Sequence, residues 1–91
     1  MTGFNYAAGA AGVYTVPANS YVLGMSCHST AGGTLVINPN GAGAGPAITI
    51  PAGVSLSLSG SVLGTMFQTN EIGPGSTFTF VGTDSYLVVL G

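Results

Sequence analysis

Polar and apolar residues alternate with a period of two in several short stretches, and each stretch is closed by glycine, proline or asparagine. In Val54-Ser-Leu-Ser-Leu-Ser59 the serines fall on one side and Leu56 and Leu58 on the other, the pattern of a half-buried strand. Thr77-Phe-Thr-Phe80 repeats it with Phe78 and Phe80 as the inward set. Gly82-Thr-Asp-Ser85 then reads as a turn, and Tyr86 to Leu90 is nearly all apolar, as a strand covered on both faces would be. The closing segment is therefore predicted to be a β-hairpin. Upstream, the same reasoning predicts strands over 13–16, 21–28, 34–38 and 47–50. In the second of these, Tyr21, Leu23, Met25 and Cys27 are expected to face the core, with Val22, Gly24, Ser26 and His28 on the other side. Leu35 and Ile37 are the inward pair of the third. Residues 39–46 form a Gly/Asn-rich loop, and 62–68 reads as a further strand.

No window keeps helical three-to-four spacing for ten residues, and glycine or proline interrupts nearly every candidate, so essentially no α-helix is expected. Thr15-Val-Pro-Ala-Asn19 and Thr49-Ile-Pro-Ala-Gly53 echo each other, with Ile72-Gly-Pro-Gly75 as a looser third case. Proline ends ladder pairing and presets a turn, and the Asn or Gly after it tolerates a positive φ. A chain of 91 residues is short for a solenoid, which needs three or more units of about 20–45 residues. The expected fold is all-β: a single β-sandwich of seven or eight short strands, with jelly-roll connection as one way of joining them.

Residues 13–91 make up that sandwich domain, and residues 1–12 a Gly/Ala-rich N-terminal arm. Such an arm has too little apolar bulk to order itself. It is expected either to add to the sheet of its own subunit or to lie on a neighbouring one, the neighbour being slightly favoured, with Phe4 and Tyr6 as partner-contact anchors. Deleting it should leave the sandwich folded.

Charge changes the picture most. The chain has no Lys or Arg, two acids (Glu71 and Asp84) and a formal charge of −2. Nucleic-acid affinity is built on cationic neutralisation of phosphate, and anionic membranes are recognised by basic clusters; neither partner is expected. Globular domains average about 25% charged residues, against 2% here. So uncharged a surface suits one copy in an assembly better than a dispersed monomer. No secretory signal and no apolar run long enough to span a membrane is readable.

Chemistry is sparse. The single cysteine, Cys27, allows no intramolecular disulfide. His28 is adjacent to it, and adjacent strand residues point to opposite faces, so the two form neither a metal site nor a nucleophile–base pair. Glu71 and Asp84 as a carboxylate pair lack any basic or oxyanion-stabilising neighbour in sequence. Gly41-Ala-Gly-Ala-Gly45 has the glycines of a phosphate loop without its lysine. Thr77 and Thr79 are one pair, short of the ladder of an ice-binding face. No enzyme, metal or cofactor is expected.

Tyr21-Val-Leu-Gly-Met-Ser-Cys-His-Ser-Thr-Ala-Gly-Gly-Thr-Leu-Val-Ile37, Ile50-Pro-Ala-Gly-Val-Ser55 and Phe80-Val-Gly-Thr-Asp-Ser-Tyr-Leu-Val88 together resemble small β-rich virion proteins of tailed bacteriophages. These decorate or cement capsids or form part of a fibre. The resemblance implies a structural role in the virion after synthesis in the host cytoplasm. It also implies a homo-oligomer, with a trimer favoured, seated on the major capsid protein or other virion proteins. It carries no catalytic residue. A second expectation, of another class, is a host-attachment or carbohydrate-binding β-sandwich of a fibre or tail. That would need exposed rings, from Tyr6, Tyr14, Tyr21 or Tyr86.

Overall fold

The computed structural model describes residues 5–39, 45, 47–67 and 72–91. The elements are β1 (Asn5–Gly9), β2 (Gly12–Thr15), β3 (Val22–Ser29), β4 (Gly33–Asn38), β5 (Ile48–Ile50), β6 (Val54–Ser59), α1 (Gly60–Phe67), β7 (Thr77–Val81) and β8 (Ser85–Leu90). Two antiparallel four-stranded sheets run β1-β8-β3-β6 and β2-β7-β4-β5. The pairs β1–β8, β2–β7, β3–β6 and β4–β5 are nested, so the chain is one long hairpin rolled up until β8 meets β3 and β7 meets β4. This is the connectivity of a jelly roll.

The expected inward residues lie between the sheets. Leu35, Ile37, Phe78, Phe80, Met25, Cys27 and Val88 are all buried, and Leu56 and Leu58 pack against them from the edge strand β6. The Pro-Ala-Asn/Gly echo also holds. Val16, Ile50 and Ile72 plug the core just before each turn. Asn19, Gly53 and Gly75 take φ of 64°, 75° and 84°, the left-handed conformation that asparagine and glycine tolerate best.

Several expectations are corrected. The closing segment is not a hairpin: β7 and β8 belong to different sheets, and Gly82–Asp84 turns the corner between them, with Gly82 at φ 76°. Phe80 and Tyr86 therefore meet across the sandwich, their rings stacked at 4.2 Å and 7°, instead of side by side along a ladder. Nor is β8 covered on both faces, since Leu87 stays exposed on the outer one. In β3 the pairing register with β8 shifts between Val22 and Gly24. This bulge re-aims the strand's start, so Val22 is buried while Tyr21 is turned out.

The region expected to be a strand over 62–68 is helix α1 where it is described. Ser59 accepts a hydrogen bond from the Val62 amide at 3.3 Å, the N-cap role of a serine. Leu63 is fully buried while Val62 and Met66 face outward, which anchors two turns that glycine would otherwise weaken. Gly60 lies so close to β3 that a Cβ would come within 2.9 Å of the Val22 carbonyl oxygen; only glycine lets the chain turn there.

Residues 5–9 of the arm add to the sheet of their own chain. They form β1 and pair through their whole length with β8 of the same chain, Asn5 opposite Leu90 and Gly9 opposite Tyr86. The Tyr86 ring explains the glycine: a Cβ on Gly9 would fall 2.7 Å from it. Beyond the strand, the Thr83 hydroxyl donates to the Ala10 carbonyl at 2.5 Å. The arm's middle is part of the sandwich, and removing it would strip the edge from β8.

Candidate functional site

The ladder registers decide which side chains share a face. On the outer face of the β1-β8-β3-β6 sheet, one row runs Tyr6, Val89, Gly24, Ser59 and the next Ala8, Leu87, Ser26, Ser57. A third brings Ser85, His28 and Ser55 together. The β8, β3 and β6 members of the first two rows floor a wide, open depression of about 590 Å³, where Gly24, Ser26, Ser57 and Ser59 lie between Val62 of α1 and Leu87 of β8. It offers hydroxyls and methyls and no charge. The other sheet's outer face brings Thr15, Thr77 and Asn38 into one row and Val13, Thr79 and Val36 into the next, with Thr34 between Val81 and Thr49. Thr77 and Thr79 thus belong to a broader Thr/Val surface that only the strand order could assemble.

Cys27 and His28 point to opposite faces: Cys27 is buried in the core, where burial pushes its thiol pKa up, while the His28 ring stands on the outer surface. Asp84, in the β7–β8 corner, accepts hydrogen bonds from the Thr30 amide at 2.9 Å and from the Thr30 hydroxyl. Its own amide donates to the His28 carbonyl at 2.8 Å. His28 Nδ1 lies 3.1 Å from Ser55 Oγ and its Nε2 lies 4.0 Å from an Asp84 oxygen. Serine, histidine and aspartate therefore adjoin, which the sequence reading missed. The signal lay in the pairing of β3 with both β6 and β8, which no local pattern reveals.

The chemistry of an acyl-transfer triad does not follow from this adjacency. In a triad the carboxylate holds the imidazole N–H opposite the nucleophile by a hydrogen bond, and 4.0 Å is beyond that reach. The Asp84 oxygen nearest the ring is already engaged by Thr30. What the cluster does is tie the β7–β8 corner to the end of β3. Ser29, fully buried, adds a hydrogen bond to the Gly82 carbonyl at 2.6 Å.

The two Thr30 hydrogen bonds, the hydroxyl's the larger effect, hold the Asp84 carboxyl below its ordinary value. A carboxylate lowered in the folded state contributes stability above its unfolded pKa, near 3.9, and loses it as pH falls through the folded value. The melting temperature is therefore expected to drop from about pH 5 downward, across the carboxylate range. Asp84→Ala should melt lower at pH 7 and show a flatter acid limb. Equal acid slopes for the two proteins would refute the assignment.

Of the residues expected to make contacts, Tyr6 is 70% exposed, and Phe4 lies outside the described residues. Glu71 and most of the Gly41–Gly45 loop lie outside them as well; Gly45 itself donates its amide to the Ile37 carbonyl at 2.9 Å. Tyr14 and Tyr86 are drawn inward, their ring centroids 6.4 Å apart, which leaves Tyr6 and Tyr21 as the outward rings. Among the described residues no three His, Cys, Asp or Glu side chains converge to hold a metal ion, and no helix is long and apolar enough to cross a membrane. The chain matches no family model, no curated protein and no solved structure.

Proposed function

We propose that this chain is a structural subunit of a tailed-bacteriophage virion, a capsid decoration or cement protein that bridges neighbouring major capsid subunits. The observation that carries the reading is the surface. Tyr6, Val13, Val62, Met66 and Val81 are all exposed, on a chain with no Lys or Arg. Such a surface recognises a partner through apolar burial and neutral hydrogen bonds, a mode suited to a permanent seat in a lattice. The jelly-roll connectivity is one that viral capsid domains use, which adds fold-level analogy only. The role is non-catalytic, without cofactor, nucleic acid or membrane, and the active form is a homo-oligomer, three-fold in the arrangement the resemblance favours.

Quantitative mass spectrometry of virions from the parent phage tests this. The expected result is a copy number comparable to that of the major capsid protein. A small number of copies confined to tails would replace the reading with host attachment, for which Tyr6 and Tyr21 are the available sugar-stacking rings. Absence from the particle would overturn both.

A further inference from the structure

Two rows cross the outer face of the β1-β8-β3-β6 sheet near the β7–β8 corner. One holds Ser85, His28 and Ser55, the other Leu87, Ser26 and Ser57, each with one residue from β8, β3 and β6. By strand geometry these positions span about 10 Å across the strands and about 7 Å along them. Five of them line a concavity of about 290 Å³. Ser57 lines the larger depression, which shares Ser26 and Leu87 with this one, so the two are continuous. Four of the six residues are serines. Ser55 Oγ lies 3.1 Å from the His28 ring. Among the described residues, no hydrogen bond within the protein engages the hydroxyls of Ser26, Ser57 and Ser85. Those of Ser29, Thr30 and Thr83, by contrast, are all spent on holding the β7–β8 corner.

We infer that this concavity binds a neutral oligosaccharide, its serine hydroxyls meeting sugar hydroxyls and Leu87 receiving the C–H face of a ring. Charge narrows the ligand first. An Asp84 oxygen stands 4.0 Å from the His28 ring, and the chain has no Lys or Arg to draw in an anion, so phosphate, sulfate and carboxylate groups are turned away. A cation finds one carboxylate, which already accepts two hydrogen bonds from Thr30. A neutral polar ligand remains. A peptide fits less well, because an extended peptide gains its affinity by adding to a sheet edge, and β3 and β8 are interior strands. The contacts must therefore come from side chains. A serine hydroxyl both donates and accepts, and the closely spaced hydroxyls of a sugar do the same. Leu87, exposed on this face, supplies the apolar surface that ligand sites combine with a few placed polar groups. The depression continues toward Gly24, Ser59 and Val62, which gives further sugar units a place to lie. The site does not rest on the virion reading: a chain abundant on capsids and one confined to tails would carry it alike.

The test titrates the full chain, isotopically labelled, with maltotriose, mannotriose, galactotriose and triacetylchitotriose, and follows its backbone amides by NMR. At least one of these trisaccharides is expected to give saturable, millimolar binding, with the shifts centred on Ser26, His28, Ser55, Ser85 and Leu87. The affinity should be nearly the same at low and high salt, because no charge pair takes part. The anionic trisaccharide sialyllactose should bind more weakly. Ser26→Ala combined with Ser85→Ala should weaken binding about tenfold, the effect of losing two neutral hydrogen bonds. Ser26→Leu, which fills the centre of the concavity, should abolish it. The circular-dichroism spectrum of the double-alanine protein should stay that of the parent. Four trisaccharides without saturable shifts, shifts centred on Tyr6 or Tyr21 instead, a double-alanine protein that binds like the parent, or tighter binding of sialyllactose would each overturn the inference. Failure here is distinct from failure of the virion role. A chain abundant on particles that binds none of these sugars sinks only the sugar site, and a sugar-binding chain absent from particles sinks only the virion assignment.

Discussion

Phe80→Ala is expected to cost about 3–5 kcal/mol of folding free energy, the range for deleting a buried aromatic side chain. For a chain of 91 residues the total available is roughly 5–14 kcal/mol, so the variant sits near the limit of folding. Phe80 is 1% exposed and comes from the β7 sheet, yet its ring stacks on Tyr86 of the opposite sheet at 4.2 Å and lies 6.2 Å from Phe78. The substitution opens a cavity and also removes a contact that holds the two layers in register. Aromatic pairing adds about 0.5–1.5 kcal/mol beyond burial. A melting temperature lower by roughly 12–40 °C follows, at about 4–8 °C per kcal/mol. Phe80→Leu keeps most of the volume and should cost far less, and a double-mutant cycle with Tyr86→Leu should return a favourable coupling. If Phe80→Ala melted within a few degrees of the parent, the two sheets would not be joined as described.

Much of the fold is legible locally because its strands are two-faced and its turns are chemically explicit. Leu35 and Ile37, Leu56 and Leu58, and Phe78 and Phe80 announce their faces by alternation alone, and Pro-Ala-Asn/Gly marks two of the turns. What alternation does not encode is which strand pairs with which. Thr77–Phe80 and Tyr86–Leu90 flank a short turn, the local sign of a hairpin. The partners of β8 are nevertheless β1 and β3, because Gly82–Asp84 carries the chain from one sheet into the other. α1 was missed for a related reason. Its glycines lower helix propensity, and its support is tertiary: the buried Leu63, the Ser59 cap and the close approach of Gly60 to β3. The face expected for Tyr21 and Leu23 failed at a bulge, which shifts side chains by one position and leaves no mark on the hydrophobic pattern. The site followed the same division. The opposed faces of Cys27 and His28 follow from strand geometry, while the meeting of His28, Ser55 and Asp84 needs three strands that are distant in sequence.

Gly33→Ala is the second substitution expected to bring the chain close to unfolding, although alanine is a small residue. A Cβ at Gly33 would stand 2.2 Å from the Val81 carbonyl oxygen and 3.1 Å from the Gly82 carbonyl carbon. These are backbone atoms, so no rotamer change can make room. Relief requires parting β4 from β7 where Thr34 pairs with Val81. It also requires shifting the Gly82 corner, whose carbonyl accepts from the buried Ser29 hydroxyl. Overpacking costs about 1–3 kcal/mol when side chains can adjust, and occasionally more. With backbone on both sides the expected cost is about 3 kcal/mol or above, at the top of that range. Gly53 provides the control, since it has a φ of 75° but nothing within 4 Å of an added Cβ. Gly53→Ala should cost only the left-handed penalty of about 1–2 kcal/mol, and Gly53→Asn less, because asparagine tolerates that conformation, as Asn19 does at φ 64° in the echoing turn. Denaturant unfolding of the three variants should rank Gly33→Ala well below Gly53→Ala and Gly53→Asn nearest the parent. A Gly33→Ala protein as stable as Gly53→Ala would mean that the turn after β3 does not pack backbone to backbone against the β7–β8 corner.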